Sequence, residues 1–108
     1  MPSSTIGRGN ILLQMLIGPS LTPTALTAST TTAQTFTVPG LQLNDAVSVS
    51  FNGAQTAGVG IGNARVTAAN TLEIVFTNST AGTPTPAAGV YSITFDRAEY
   101  LPLPTTAL

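Results

Sequence analysis

Little in this chain can do acid–base or nucleophilic chemistry. Its charged side chains are Arg8, Arg65 and Arg97 against Asp45, Glu73, Asp96 and Glu99, with no His, Lys, Cys or Trp. Paired carboxylates can act as general acid and base, but only Asp96 and Glu99 are near neighbours in sequence, and they flank Arg97 at the end of a predicted strand. An exposed ion pair with Arg97 is the expected role there, and such pairs stabilise little. Asp45 falls in a turn, where a short carboxylate bonds the local backbone. Glu73 and Arg65 fall on facing strands of a predicted hairpin and should pair across it.

Serine and threonine are abundant, yet with no histidine or lysine there is no obvious base to activate a hydroxyl. Four scattered acids do not form an oxygen-only metal site, and the absence of cysteine removes thiolate sites and disulfides. Three cations are too few for the phosphate contacts that hold nucleic acid. The sequence therefore predicts no catalytic residues, no metal, no cofactor and no nucleic-acid partner. "GVGIG" (58–62) is glycine-rich like a phosphate loop, but it lacks the lysine and spacing of one and reads as a close-packed or bulged strand. Asn78-Ser79-Thr80 matches the glycosylation acceptor pattern and is expected to be loop chemistry only.

Period-two alternation dominates the elements that carry these residues. "QTFTV" sets Phe36 and Val38 on one face; "AVSVSF" does the same with Val47, Val49 and Phe51. "TLEIVFT" buries Leu72, Ile74 and Phe76, and "VYSITFD" buries Tyr91, Ile93 and Phe95. Two shorter runs, "GVGI" and "ARVTA", should add strands carrying Val59, Ile61 and Val66. Pro39-Gly40, Asn44-Asp45, Asn52-Gly53 and Ala69-Asn70 are turn signals, the last closing a tight hairpin. The chain is predicted to be all-β, a compact antiparallel β-sandwich, jelly-roll-like or Ig-like, with extended N- and C-terminal arms. The expected division is an arm over 1–20, a sandwich over 21–96 and a tail over 97–108.

Hydrophobic residues make up 43% of the 108 residues and charged ones only 6%, against about 25% in an average domain. A net charge of −1 gives little colloidal repulsion, so a surface covered by other subunits is expected. The apolar run Ile11–Ile17 is interrupted by Gln14 and is much shorter than the ~20 residues that cross a bilayer. It reads as an arm or first strand rather than a leader, with a short helix over 10–17 as the alternative. No membrane partner is expected.

Burying a leucine stabilises by about 1.5–3 kcal/mol, so apolar anchors at both ends could dock the chain onto a neighbour. The candidate subunit or shell contacts are Ile11, Leu12, Leu13, Met15, Leu16 and Ile17 at one end and Tyr100, Leu101, Leu103 and Leu108 at the other. Val75 and Val90, on the outer faces of their strands, join them.

The ordered phrases "TAQTFTVPGL", "GIGNARVTAANTLEIVFTN" and "TPAAGVYSITF", after a Thr/Ala-rich entry, resemble small virion proteins of tailed bacteriophages. The resemblance spans roughly residues 21–96, about two-thirds of the chain, and carries no active site. It implies a β-rich virion structural protein, with a capsid decoration (cement) protein as the preferred role. Such a protein would be made in the bacterial host cytoplasm, bind the major capsid protein at the outer head surface, and work as a homo-oligomer, most simply a trimer. A tail- or fibre-associated module that binds the host surface is the alternative, although sparse aromatics weaken sugar stacking.

Overall fold

Strands form wherever the alternation is regular. In the computed structural model, which describes residues 10–99, they are β1 (Ile11–Ile17), β2 (Ser20–Leu21), β3 (Thr31–Thr37), β4 (Ala46–Phe51), β5 (Val59–Ala68), β6 (Thr71–Asn78) and β7 (Gly89–Ala98). There is no helix among the described residues. All pairings are antiparallel, and the strands form two sheets that enclose one apolar core, an all-β sandwich.

In the first sheet β7 is central. β1 and β2 run end to end along one of its edges, separated by Gly18-Pro19, and β4 pairs along the other. In the second sheet β6 is central, between β3 and β5. Only the β1–β2 kink and the β5–β6 hairpin stay within one sheet. Each of the other connections crosses to the opposite sheet.

Packing follows the two-residue period. Leu72, Ile74 and Phe76 of β6 and Tyr91, Ile93 and Phe95 of β7 are buried in one cluster with Leu21, Leu26, Val38, Leu41 and Val66. Phe36, Val47, Val49 and Phe51 pack against it from the flanking strands, as their alternation predicts. The Phe51 and Tyr91 rings lie 4.6 Å apart, tilted by 45°.

Polar residues at the strand ends hold the loops. Asn78 is buried; its Nδ2 donates to the carbonyls of Thr27 and Gly82 (2.9 Å each), and its Oδ1 accepts from the Thr80 amide (2.9 Å) and hydroxyl (2.7 Å). The nitrogen that glycosylation would modify is thus bonded twice inside the protein. Asn70 turns the β5–β6 hairpin in the left-handed conformation, with φ 61°. Its Oδ1 accepts from the Gly40 amide (2.9 Å), tying the hairpin to the turn after β3. The buried Tyr91 hydroxyl donates to Ala87 O (2.7 Å) and accepts from Gln55 Nε2 (3.2 Å). The approach of residues 58 and 80 demands glycine, since Gly58 has φ +80° and a Cβ there would lie 2.2 Å from Thr80 Cγ2.

The strand and arm bounds change. Residues 59–68 form one strand rather than two, because the register shifts between Ile61 and Ala64 and the extra residues take up the break in alternation. Residues 11–17 are the first strand, one of the two favoured readings, since pairing with β7 satisfies one edge of the backbone and turns Leu13 and Ile17 toward the core. The arm boundary drawn at residue 20 therefore cuts through the first sheet, and deleting residues 1–17 would strip an edge strand from it. Likewise β7 runs through Ala98, past the expected start of the tail at 97.

Phe76→Ala should destabilise the fold by about 3–5 kcal/mol, read from denaturant unfolding. Asn78→Ala, which strands the carbonyls of Thr27 and Gly82, should cost on the order of 2 kcal/mol in the same assay.

Candidate interaction surface

The charged residues serve structure first. Asp45 ends the turn before β4, and β7 brings Arg97 against it from fifty-two positions away. Arg97 Nε donates to Oδ1 (2.9 Å) and Nη2 to Oδ2 (2.8 Å), while the Gln42 amide also donates to Oδ2 (2.9 Å). Arg97 Nη2 reaches Gly40 O at 2.8 Å, and its guanidinium sits 5.6 Å from the Phe95 ring centre. The Asp45 side chain is 2% exposed and that of Arg97 19%. Burial alone would raise the Asp45 pKa, but the Arg97 hydrogen bonds, the Gln42 amide and the arginine charge together hold it below the ordinary carboxylate value.

This pair replaces the exposed one expected beside Asp96. Successive residues of a strand face opposite sides, so Arg97 turns inward while Asp96 faces out, between Gln14 of β1 and Ala46 of β4. Arg65 does pair with Glu73 as the hairpin predicts, Nε to Oε1 at 2.8 Å. In both pairs the carboxylate is neutralised by a guanidinium, an arrangement that positions chain rather than moving protons.

The exposed apolar side chains gather on β1 and its neighbour. On β1, Leu12, Gln14 and Leu16 alternate with Leu13, Met15 and Ile17. Leu16 is 69% exposed, Leu12 56% and Met15 44%, and Val90 of β7, also 44% exposed, lies on the same outer face of the first sheet as Leu16. Beside them the outer rows of β7 and β4 carry small hydroxyls: Leu16 stands level with Thr94 and Ser48. Met15 shares the inward parity of Leu13 and Ile17 yet remains open, as befits an edge strand beyond the cover of the other sheet. No protein-family model matches this chain, and no curated protein or solved structure matches it.

Of the candidate contact residues, then, Leu12, Leu16 and Val90 are exposed on the outer face of the first sheet, Met15 is exposed at the same edge from the inward side, and Ile11, Leu13 and Ile17 are half-buried on the same strand. Val75 is separated from them: it faces outward from β6, on the opposite side of the sandwich, half-buried across from Ala33. Tyr100, Leu101, Leu103 and Leu108 lie outside the described residues. Leu43, 57% exposed in the turn before β4, was not singled out in the sequence. Its signal was there: "LQL" alternates, and Leu41 takes the buried position.

The Asp45–Arg97 pair makes a pH-dependent contribution. Its folded carboxyl binds a proton less tightly than an unfolded one, so the stabilisation is fully present above about pH 3.9 and is lost as the pH falls through the lower folded value. Asp45→Ala should cost on the order of 3 kcal/mol at neutral pH and flatten the acid limb of stability against pH, measured by urea unfolding across that range.

Proposed function

We propose that this chain is a non-enzymatic structural protein of a virion, a capsid decoration protein that adds contacts across the shell. The observation that carries the reading is the exposure of Leu12, Met15 and Leu16 along the edge strand of a sandwich whose outer rows are rich in hydroxyls and nearly free of charge. Large exposed apolar side chains lined up along one strand mark a contact site, and a charge-poor, hydroxyl-coated surface suits a subunit that is covered in its assembly. The resemblance of residues 21–96 to phage virion proteins supplies the kind of assembly.

In this reading the partner is the major capsid protein at the outer head surface, reached after synthesis in the bacterial cytoplasm. The sandwich acts as a rigid spacer, and repeated copies turn modest site affinities into high avidity. The loops pinned by Asn78, Asn70 and the Asp45–Arg97 pair support that rigidity.

Electron cryomicroscopy of intact particles of the phage encoding the chain tests this. Density for the sandwich regularly placed over the head supports the decoration role. Density confined to the tail would transfer the protein to the tail-associated alternative, and particles lacking the chain altogether would remove the virion reading.

A further inference from the structure

Among the described residues, β1 is the one sheet edge that presents large exposed apolar side chains. It pairs with β7 alone among the described strands, so from Leu12 onward alternate backbone groups along its other side face away from the sheet. Natural edge strands are usually protected by charge, proline or brevity. This one is seven residues long, uncharged and free of proline, with its register shift confined to the start, between Ile11 and Leu13.

The order of its residues indicates what covers it. "ILLQMLI" reads nearly the same in both directions about Gln14. We infer that β1 is the seam of a two-fold dimer, in which the β1 strands of two copies pair antiparallel, centred on Gln14. Leu12 of each copy then stands opposite Leu16 of the other, Leu13 opposite Met15, and the two Gln14 amides face one another. The alternation is preserved on both faces: Leu12, Gln14 and Leu16 line the outer side, Leu13 and Met15 the inner.

Directly opposite apolar pairs are the unit of sheet stabilisation, and every such pair occurs twice in an isologous interface. The first sheets of the two copies become one continuous sheet, in the order β4, β7, β1 and then β1, β7, β4 of the second copy.

Electrostatics permits the arrangement. The nearest acid on that face is Asp96, one strand behind Gln14. At about 4.8 Å per strand, the two Asp96 residues stand roughly 14 Å apart, beyond the screening length in physiological salt. A heterologous contact, β1 of one copy on β4 of the next, would match leucines against serines and would leave a β1 edge open to further copies. The palindrome favours closure as a pair, in place of the trimer anticipated from the family resemblance.

The purified full-length chain tests this without reference to any particle, so a failed dimer is distinguishable from a failed virion role, although both rest on the exposed side chains of β1. Analytical ultracentrifugation should give the mass of two chains. Because the protein has no cysteine, a single introduced one reports a single contact. Residues directly opposite in an antiparallel pair have Cα atoms about 4.5–5.5 Å apart, within disulfide range. Under mild oxidation Gln14→Cys should become a covalent dimer, whereas Ser48→Cys, exposed on β4, should not.

Leu16→Lys should weaken the dimer by about a hundredfold, because two leucines leave the seam at once. Its circular dichroism should match the wild type, showing that the sandwich itself is intact. A wild-type chain that sediments as a monomer at every soluble concentration, or as a trimer, overturns the inference. So does equal cross-linking through Ser48→Cys, or a Leu16→Lys variant that dimerises like the wild type.

Discussion

Two strands must each be hydrogen-bonded along both edges and apolar on one face, and the rest of the molecule is arranged around that demand. β6 and β7 meet it with the same device, three large side chains at every second position: Leu72, Ile74 and Phe76 in one, Tyr91, Ile93 and Phe95 in the other. Each remains soluble only if its apolar face meets the other sheet and its backbone meets two neighbours. The flanking strands accordingly need less apolar surface. β3 and β4 contribute Phe36, Val47, Val49 and Phe51 as half-buried supports and spend their remaining positions on Thr, Ser, Ala and one Gln.

That economy explains how a chain with seven charged residues still places its polar groups well. The buried ones work inside the protein, apart from Asp96 Oδ1, which is buried with no hydrogen-bond partner among the described residues. Asn78 satisfies three backbone groups of two loops with one amide, Gln55 and the Tyr91 hydroxyl close a further contact, and the Asp45–Arg97 pair clasps the turn before β4 against β7. A fully satisfied buried network specifies one arrangement, whereas a half-satisfied one would cost several kcal/mol. The outside is left to hydroxyls, which keep the sandwich wettable without long-range repulsion between copies.

Much of this was legible in the sequence because it depends on local period. The inward sets of β4, β6 and β7, the Ala69-Asn70 hairpin and the Arg65–Glu73 pair all follow from alternation and turn chemistry. Legibility failed where a second constraint overrode the period. In β5, Gly60, Gly62 and Asn63 interrupt the alternation at a bulge, so one strand looked like two. In β1, apolar residues occupy both faces, and periodicity cannot then separate strand from helix or inside from outside. Asp45 and Arg97 are fifty-two residues apart, and nothing local announces their meeting. Leu21, Leu26 and Leu41 sit in or beside loops, yet each is buried because the crossing connections pass over the open ends of the sandwich. Of the contact surface, the strand was legible and the grouping was not: only the fold shows that Leu16 and Val90 share a face while Val75 is turned away.

The alternation of the chain between sheets sets a timetable for folding. β5 and β6 are joined by a two-residue turn and can pair as soon as they exist. The first sheet cannot, because its central strand, residues 89–98, is synthesised last among the described strands, while the strands that need it, 11–17 and 46–51, come much earlier. Long loops must close before these contacts form, which makes such topologies slow. Throughout that interval residues 11–17 are an apolar, uncharged strand with both edges vacant, the kind of segment that captures other nascent chains. Synthesis rate and local chain density, as much as the final fold, therefore govern how much of this protein reaches its native state.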